Sequence, residues 1–260
     1  MVKVKPNLGV YISVGITDEI KQCIKVLENL FTIKYIRHFE SYFLDNLVGI
    51  FLPEGFSQVM YFTKHGKKNI LAFLEDKNKF LIGYGGSIYL CTESYKYTDY
   101  DVNMDFVSKE PYNTSLQFKK NFLGIIKFAH GPLFSHDSTK GFIIPYHSMK
   151  YFKGEHTNIM NINNSIMIKS DPDTSKSTVI FLDNNEKAEY FGLPFYYEFY
   201  EPKDWIIEAK FDFMIAIFYS KQHLFFGVQL ADVNPNYFLK VIKKFLKYHY
   251  SINDKTRSVS

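Results

Sequence analysis

Arginine is almost missing from this chain. Among 260 residues only Arg37 and Arg257 carry a guanidinium, and the formal net charge of +4 rests on lysine. Arginine is the side chain suited to bidentate phosphate and base-edge contacts, so the composition argues against specific nucleic-acid binding. Cysteine is as scarce. Cys23 and Cys91 are the only two, which excludes a disulfide framework and a cysteine-rich zinc site and fits a reducing compartment. No apolar run approaches the roughly 20 residues that cross a bilayer, and the first residues, Met1 to Asn7, hold no apolar signal-peptide region. The expectation is a cytoplasmic protein with no transmembrane segment. There is no His-x-x-x-His, no Cys-x-x-Cys, no Walker loop and no Gly-x-Gly-x-x-Gly. No metal or other cofactor is therefore assigned.

What is present suits a globular α/β chain. Hydrophobic residues make up 46% and charged residues 22%, enough apolar material for a sizeable core. The 26 Phe and 20 Tyr are a surplus. An AT-rich genome also favours Phe, Tyr, Lys, Ile and Asn codons, so the surplus does not by itself mark an aromatic binding surface.

Along the chain, Leu8 to Val14 reads as a first strand, and Thr17 caps a helix from Asp18 to Phe31. Ile20, Ile24, Leu27 and Phe31 give that helix one apolar stripe, with Cys23 packed beside it. Ile33 to Ile36 and Leu47 to Leu52 are the next strands, the latter continuously apolar as in a strand buried on both faces. A helix over about Lys68 to Asp76 precedes a fourth strand, Phe80 to Ile82. This alternation predicts a mostly parallel, helix-covered sheet whose sites lie at the carboxyl ends of its strands. From about Thr98 to Tyr200 short runs broken by turn signals read as antiparallel hairpins: Phe122 to Phe128, Phe142 to Ile144, Ile166 to Lys169, and Thr178 to Leu182 closed by Asp183-Asn184-Asn185. Trp205 to Phe211 and Met214 to Tyr219 form a further hairpin around Asp212, and Phe225 to Leu230 one more strand. A last helix, Pro235 to Tyr248, buries Phe238, Val241, Ile242, Phe245 and Leu246 and wets Lys240, Lys243, Lys244 and Lys247. The organisation expected is one domain over 1–250, with a parallel half to 97, a strand-rich half to 234, a helix from 235 to 250, and a disordered tail over 251–260.

The stretch from Lys79 to Tyr95 is the centre of the reading. Phe80-Leu81-Ile82 enters Gly83-Tyr84-Gly85-Gly86, and Ile88, Leu90 and Cys91 follow at helical spacing. Strand, glycine turn and helix are the parts of a nucleophile elbow, with Tyr84 as the residue lifted. Asn234-Pro235-Asn236 follows the late strand, and Pro53-Glu54-Gly55 follows the third.

Together with Val10 to Gly15, Phe128-Ala129-His130-Gly131-Pro132 and Tyr190 to Phe195, these segments resemble the class I glutamine amidotransferase-like fold, with a flavodoxin-like core. They are most similar to the stand-alone or N-terminal domain associated with biotin-protein ligases. The resemblance implies Gly-x-Cys-x-Gly at Ile82 to Gly86, His-Pro-Glu at 234–236 and an oxyanion-holding Pro-Gly-Gly at 53–55. The chain departs at each. Its triad positions read Tyr84, Asn234 and Asn236, where thiol chemistry needs a thiolate, a histidine base and a carboxylate. A phenol with a reference pKa of about 10 stays protonated at neutral pH, and asparagine cannot take its proton. Glu54 also has the wrong sign for an oxyanion.

The expectation is a catalytically inactive, amidotransferase-like binding module. Gly15, Glu54, Gly55, Tyr84, Gly85, Asn234 and Asn236 would line a cleft for a small polar ligand, with Glu54 pairing an amine. Two alternatives stand beside it. One is a protein-interaction scaffold that uses an apolar or lysine-rich surface such as the last helix. The other is a hydrolase or transferase with a relocated nucleophile, for which Ser87 and Cys91 are the nearest candidates and His130 and His147 the nearest loop histidines. A direct role in biotin ligation would need an arginine-rich adenylate loop that two arginines cannot supply, so any link is regulatory and runs through a partner. The oligomeric state is not legible in the sequence.

Overall fold

The computed structural model describes residues 4–12, 18–53, 64–97, 123–131, 142–145, 159–162, 165–168, 178–190, 196–197, 205–211 and 214–257. Its first part alternates strand and helix: β1 (Asn7–Tyr11), α1 (Asp18–Leu27), β2 (Thr32–Ile36), α2 (Ser41–Leu44), β3 (Gly49–Leu52), α3 (Lys64–Glu75) and β4 (Phe80–Tyr84). A strand from far along the chain, β15 (His223–Phe226), joins the other side of β4. Across the sheet the order is β2, β1, β3, β4, β15, all parallel. That is the flavodoxin-like order, in which the chain first winds one way from β1 and then the other. Beyond β15 the sheet turns antiparallel: β14 (Met214–Tyr219) pairs with β15, and both β13 (Ile206–Phe211) and the two-residue β12 (Tyr196–Tyr197) pair with β14.

Period-two alternation sorts the side chains into two layers. Leu8 and Val10 of β1, Phe51 of β3, and Phe80, Ile82 and Tyr84 of β4 face one way, where they pack with α1 and with α5 (Pro235–Arg257). Tyr11, Ile50, Leu52 and Leu81 face the other way and meet Leu44 of α2 and Ile70, Phe73 and Leu74 of α3. The result is a three-layer α/β/α arrangement, as the strand and helix pattern predicts. Cys23 lies in the first layer, fully buried.

The structure departs from the sequence expectations in several places; among them, α1 ends at Leu27 and β15 at Phe226, each short of the expected bound. α2 has no counterpart among those expectations, because four residues are too few to show a helical period. The middle of the chain is not all antiparallel: β5 (Thr92–Tyr97) pairs in parallel with β6 (Ile126–Gly131). The antiparallel reading holds for β7 (Phe142–Pro145), β8 (Ile159–Ile162) and β9 (Ser165–Ile168), in the order β7, β9, β8. It also holds for the hairpin of β10 (Thr178–Phe181) and β11 (Lys187–Tyr190), where Asn185 takes the left-handed turn position at φ 62°. The helix after β4 is short: a 3₁₀ turn over Gly85–Ser87, then one turn of α4 (Ile88–Cys91). The run that follows, Thr92 to Tyr97, is rich in residues that prefer strand and goes directly into β5.

Finally, α5 does not stop at Tyr248 but continues to Arg257. In the sequence its apolar stripe ends at Leu246, because His249 is polar. In the fold His249 is 1% exposed. Its Nδ1 lies 2.6 Å from the Lys221 carbonyl, and its ring stacks on Phe245 and stands edge-on to Phe80. A histidine thus carries the core face one turn further. Near it, Gln222 ties two turns together: its Nε2, with two hydrogens to share, lies 3.0 Å from each of the carbonyls of Leu74, Asp76 and Lys79.

Candidate functional site

The carboxyl ends of β4 and β15 meet where the sequence places its site. Phe80, Ile82 and Tyr84 share one face of β4, so alternation sends the Tyr84 ring into the α1/α5 layer and not above the strand end. The ring is wholly buried, with centroids 6.0 Å from Phe51, 5.8 Å from Phe226 and 5.4 Å from Phe238. Its hydroxyl oxygen accepts from the backbone N–H of Leu230 at 2.7 Å and of Ala231 at 3.2 Å. Tyr84 therefore pins the segment that leads from β15 into α5.

The sharp position of the turn is one residue later. Gly85 takes φ +60°, the left-handed region that strains any residue with a Cβ. A nucleophile elbow places its reactive residue on such a strained turn. Laid on this backbone, the elbow tip is Gly85, which has no side chain and is itself buried. The expectation that Tyr84 is the lifted residue is thereby corrected. Strand alternation counted from Phe80 would have shown it.

Ser87 closes the turn. Its Oγ accepts from the Tyr84 N–H at 2.9 Å and reaches the carbonyls of Leu52 at 2.7 Å and Tyr84 at 2.9 Å. With 1% exposure it serves as a tie between the ends of β3 and β4. Cys91 is fully buried, and burial pushes its thiol well above the ordinary value, away from the reactive thiolate.

At the head of α5, Asn234 is the N-cap. Its Oδ1 accepts from the Tyr237 N–H at 3.2 Å, with Pro235 in the first helical position. Its Nδ2 donates to Glu186 Oε2 at 2.8 Å. Asn236 sits in the first turn and is exposed. A second contact, Asn184 Nδ2 donating to Tyr237 Oη at 2.6 Å, fastens the β10–β11 hairpin to the same helix end. Burial pushes the Tyr237 phenol up to about 12. Asn184 and Glu186 escape sequence reasoning, since they lie some fifty residues from the groups they meet and no local pattern marks them.

Of the residues expected to form a site, then, Tyr84 and Gly85 belong to the turn and Asn234 to the helix cap, while Asn236 faces solvent. Gly15, Glu54, Gly55 and His147 lie outside the described residues, as does the expected cap Thr17; His130 falls within β6. Among the described residues no three His, Cys, Asp or Glu side chains gather as a metal site requires.

No family model matches the sequence, and no curated protein matches it. Solved structures do. A crystal structure of a glutamine amidotransferase aligns over 93% of this chain and 98% of its own, with a TM-score of 0.53 at 10% identity. The chain has a glutamine amidotransferase-like fold. At that identity the likeness speaks for the fold alone. A protein from Thermoplasma acidophilum, described as one component of a GMP synthase, also aligns, over 97% of this chain and 98% of its own, with a TM-score of 0.45 at 12% identity. Among the described residues no helix is long and apolar enough to cross a membrane.

Proposed function

We propose that this amidotransferase-like chain performs no thiol chemistry and acts by binding. The observation that carries the reading is the state of its sulfur. The chain has two cysteines, and both are fully buried in the two core layers: Cys23 on α1, and Cys91 at the end of α4, where burial holds the thiol in its neutral form. The elbow tip is a glycine, and the residue before it is committed to the core. Asn234 and Asn236 provide neither a base nor a carboxylate, and Asn234 is occupied as a helix cap. Amide hydrolysis through a thioester needs a nucleophile within reach of a base, and these residues offer no such pair.

Because the Tyr84 ring fills the space under the turn, the geometry favours a protein partner over a small ligand seated on Tyr84. A polar ligand held by Glu54 is the second reading, since the chain leaves β3 through Pro53 at the carboxyl end of a parallel strand, where sites form in such sheets. A link to biotin-protein ligation would be regulatory and would run through such a partner. A diazoketone analogue of glutamine tests the proposal, because it alkylates whichever nucleophile the site contains. The expected intact mass after incubation is that of the unmodified chain. A stoichiometric adduct protected by glutamine would overturn the proposal and identify the nucleophile.

A further inference from the structure

The open edge of the sheet carries a surface that nothing above uses. β2 is the outermost described strand on its side. It pairs with β1 from Asn7↔Thr32 to Tyr11↔Ile36, and no other described strand lies against it. Thr32, Lys34 and Tyr35 are exposed along it. Beside this edge, between β2 and α2, runs a groove of about 540 Å³ lined by Lys34, Ile36, Tyr42, Phe43 and Asn46 among others. Tyr42 and Phe43 sit with ring centroids 4.1 Å apart and are 65% and 48% exposed. Paired aromatic rings held in water beside an unpaired strand edge are what proteins ordinarily avoid, and a groove of this size is in the range that takes a ligand.

Charge decides what fits. Lys34 in the middle of the strand and Arg37 just past its end are both exposed. Lys5 lies at the other end, where the Thr32 hydroxyl meets its carbonyl. Glu40 is not among the residues that line the groove, and its carboxylate hydrogen-bonds His65 Nε2 at 3.1 Å. A second copy laid antiparallel and centred on β2 would bring Lys34 against Lys34, and like charges directly opposite each other are destabilising. An acidic strand gains from the same residues.

We propose that the β2 edge and the α2 groove bind an extended acidic segment of a partner protein, which joins the sheet as a further strand. Its backbone pairs with the outer N–H and C=O groups of β2, which gives affinity, and its alternate side chains give specificity. Lys34 and Ile36 share the α2 face with their register partners Gly9 and Tyr11. An added strand places every second side chain on that face, so a carboxylate there meets Lys34 and an apolar neighbour two residues on lies against Tyr42 and Phe43. The inference deepens the binding reading but does not depend on the state of the β4 turn.

The test is fluorescence anisotropy with a short labelled peptide of the repeat Glu-Thr-Val-Thr containing one tyrosine, in which glutamate and valine alternate on one face of the strand. Its controls are the same peptide with lysine for glutamate and one with prolines that remove the pairing N–H groups. The glutamate peptide is expected to bind, to weaken as salt rises, and to lose about tenfold or more in affinity on Lys34→Glu or on the double change Tyr42→Ser and Phe43→Ser. All these positions are exposed, so melting temperatures should stay at the wild-type value, which separates lost binding from lost fold. No binding, equal binding of all three peptides, or affinity unchanged by Lys34→Glu would overturn the proposal. So would a concentration-dependent dimer through β2, which would assign the edge to a second copy instead. An adduct in the glutamine-analogue experiment would leave these outcomes unaffected, so the two failures can be told apart.

Discussion

Replacing Tyr84 with phenylalanine removes one oxygen from the core and leaves the ring. In the folded chain that oxygen accepts from two consecutive backbone amides, Leu230 at 2.7 Å and Ala231 at 3.2 Å, in residues that are 0% and 3% exposed. A buried donor stripped of its partner costs about 1–3 kcal/mol. The shorter bond should account for most of the loss, so a total of about 2–4 kcal/mol is expected. Against a whole-domain stability of about 5–15 kcal/mol this is a large share. Urea unfolding of Tyr84→Phe beside the wild type should show the midpoint falling by about 1 M or more, with the slope unchanged. Tyr84→Ala should go further, since loss of the ring leaves a cavity among Phe51, Phe226 and Phe238 worth about 3–5 kcal/mol in its own right. If Tyr84→Phe unfolds within about 0.5 kcal/mol of the wild type, the phenol is not the clamp described, and a place lining a cleft becomes the better account.

Three further outcomes follow from the same geometry. Asn234→Ala should cost about 1–2 kcal/mol through the lost cap and the lost bond to Glu186, whereas Asn236→Ala, at an exposed position, should stay within about 0.5 kcal/mol; urea midpoints of both compare them directly. Gly83→Ala should destabilise by about 1–3 kcal/mol, because a Cβ there would stand 2.6 Å from the Phe225 ring, and calorimetry should show the lower midpoint. His223 is held down to about 4, chiefly by burial, with repulsion from Lys77 and His249 adding to it. The unfolded chain therefore binds more protons than the folded one between pH 6.5 and about 4. Stability should be complete above that window, fall as the pH drops through it by up to about 3 kcal/mol, and level off below. The ring is partly exposed, which reduces the amount, and in His223→Gln this part of the slope should vanish.

Much of the sheet is legible in the sequence because its signals are local. The apolar runs at Leu8, Leu47 and Phe80 fix the parallel strands, and Asp183-Asn184-Asn185 fixes a hairpin through the turn preference of asparagine. The site is less legible because its partners are distant. No pattern around Tyr84 tells that its hydroxyl will meet amides at 230 and 231, or that Asn184 will reach Tyr237. His249 shows the converse, a polar residue that tertiary packing draws into the apolar stripe of α5. The elbow tip is misplaced in the sequence for a simpler reason. Three glycines allow the turn to begin at more than one residue; alternation counted from Phe80 turns Tyr84 inward, and the observed φ at Gly85 places the turn after it.

The central claim is that the amidotransferase-like fold persists here without the thiol reaction, and ammonia release from glutamine tests it most directly. The purified chain, incubated with glutamine with and without iodoacetamide, should release ammonia at the rate of the buffer alone in both samples. Glutamate produced in stoichiometric excess over protein, and lost on alkylation, would contradict the account, because it would require a reactive thiolate where both cysteines lie buried.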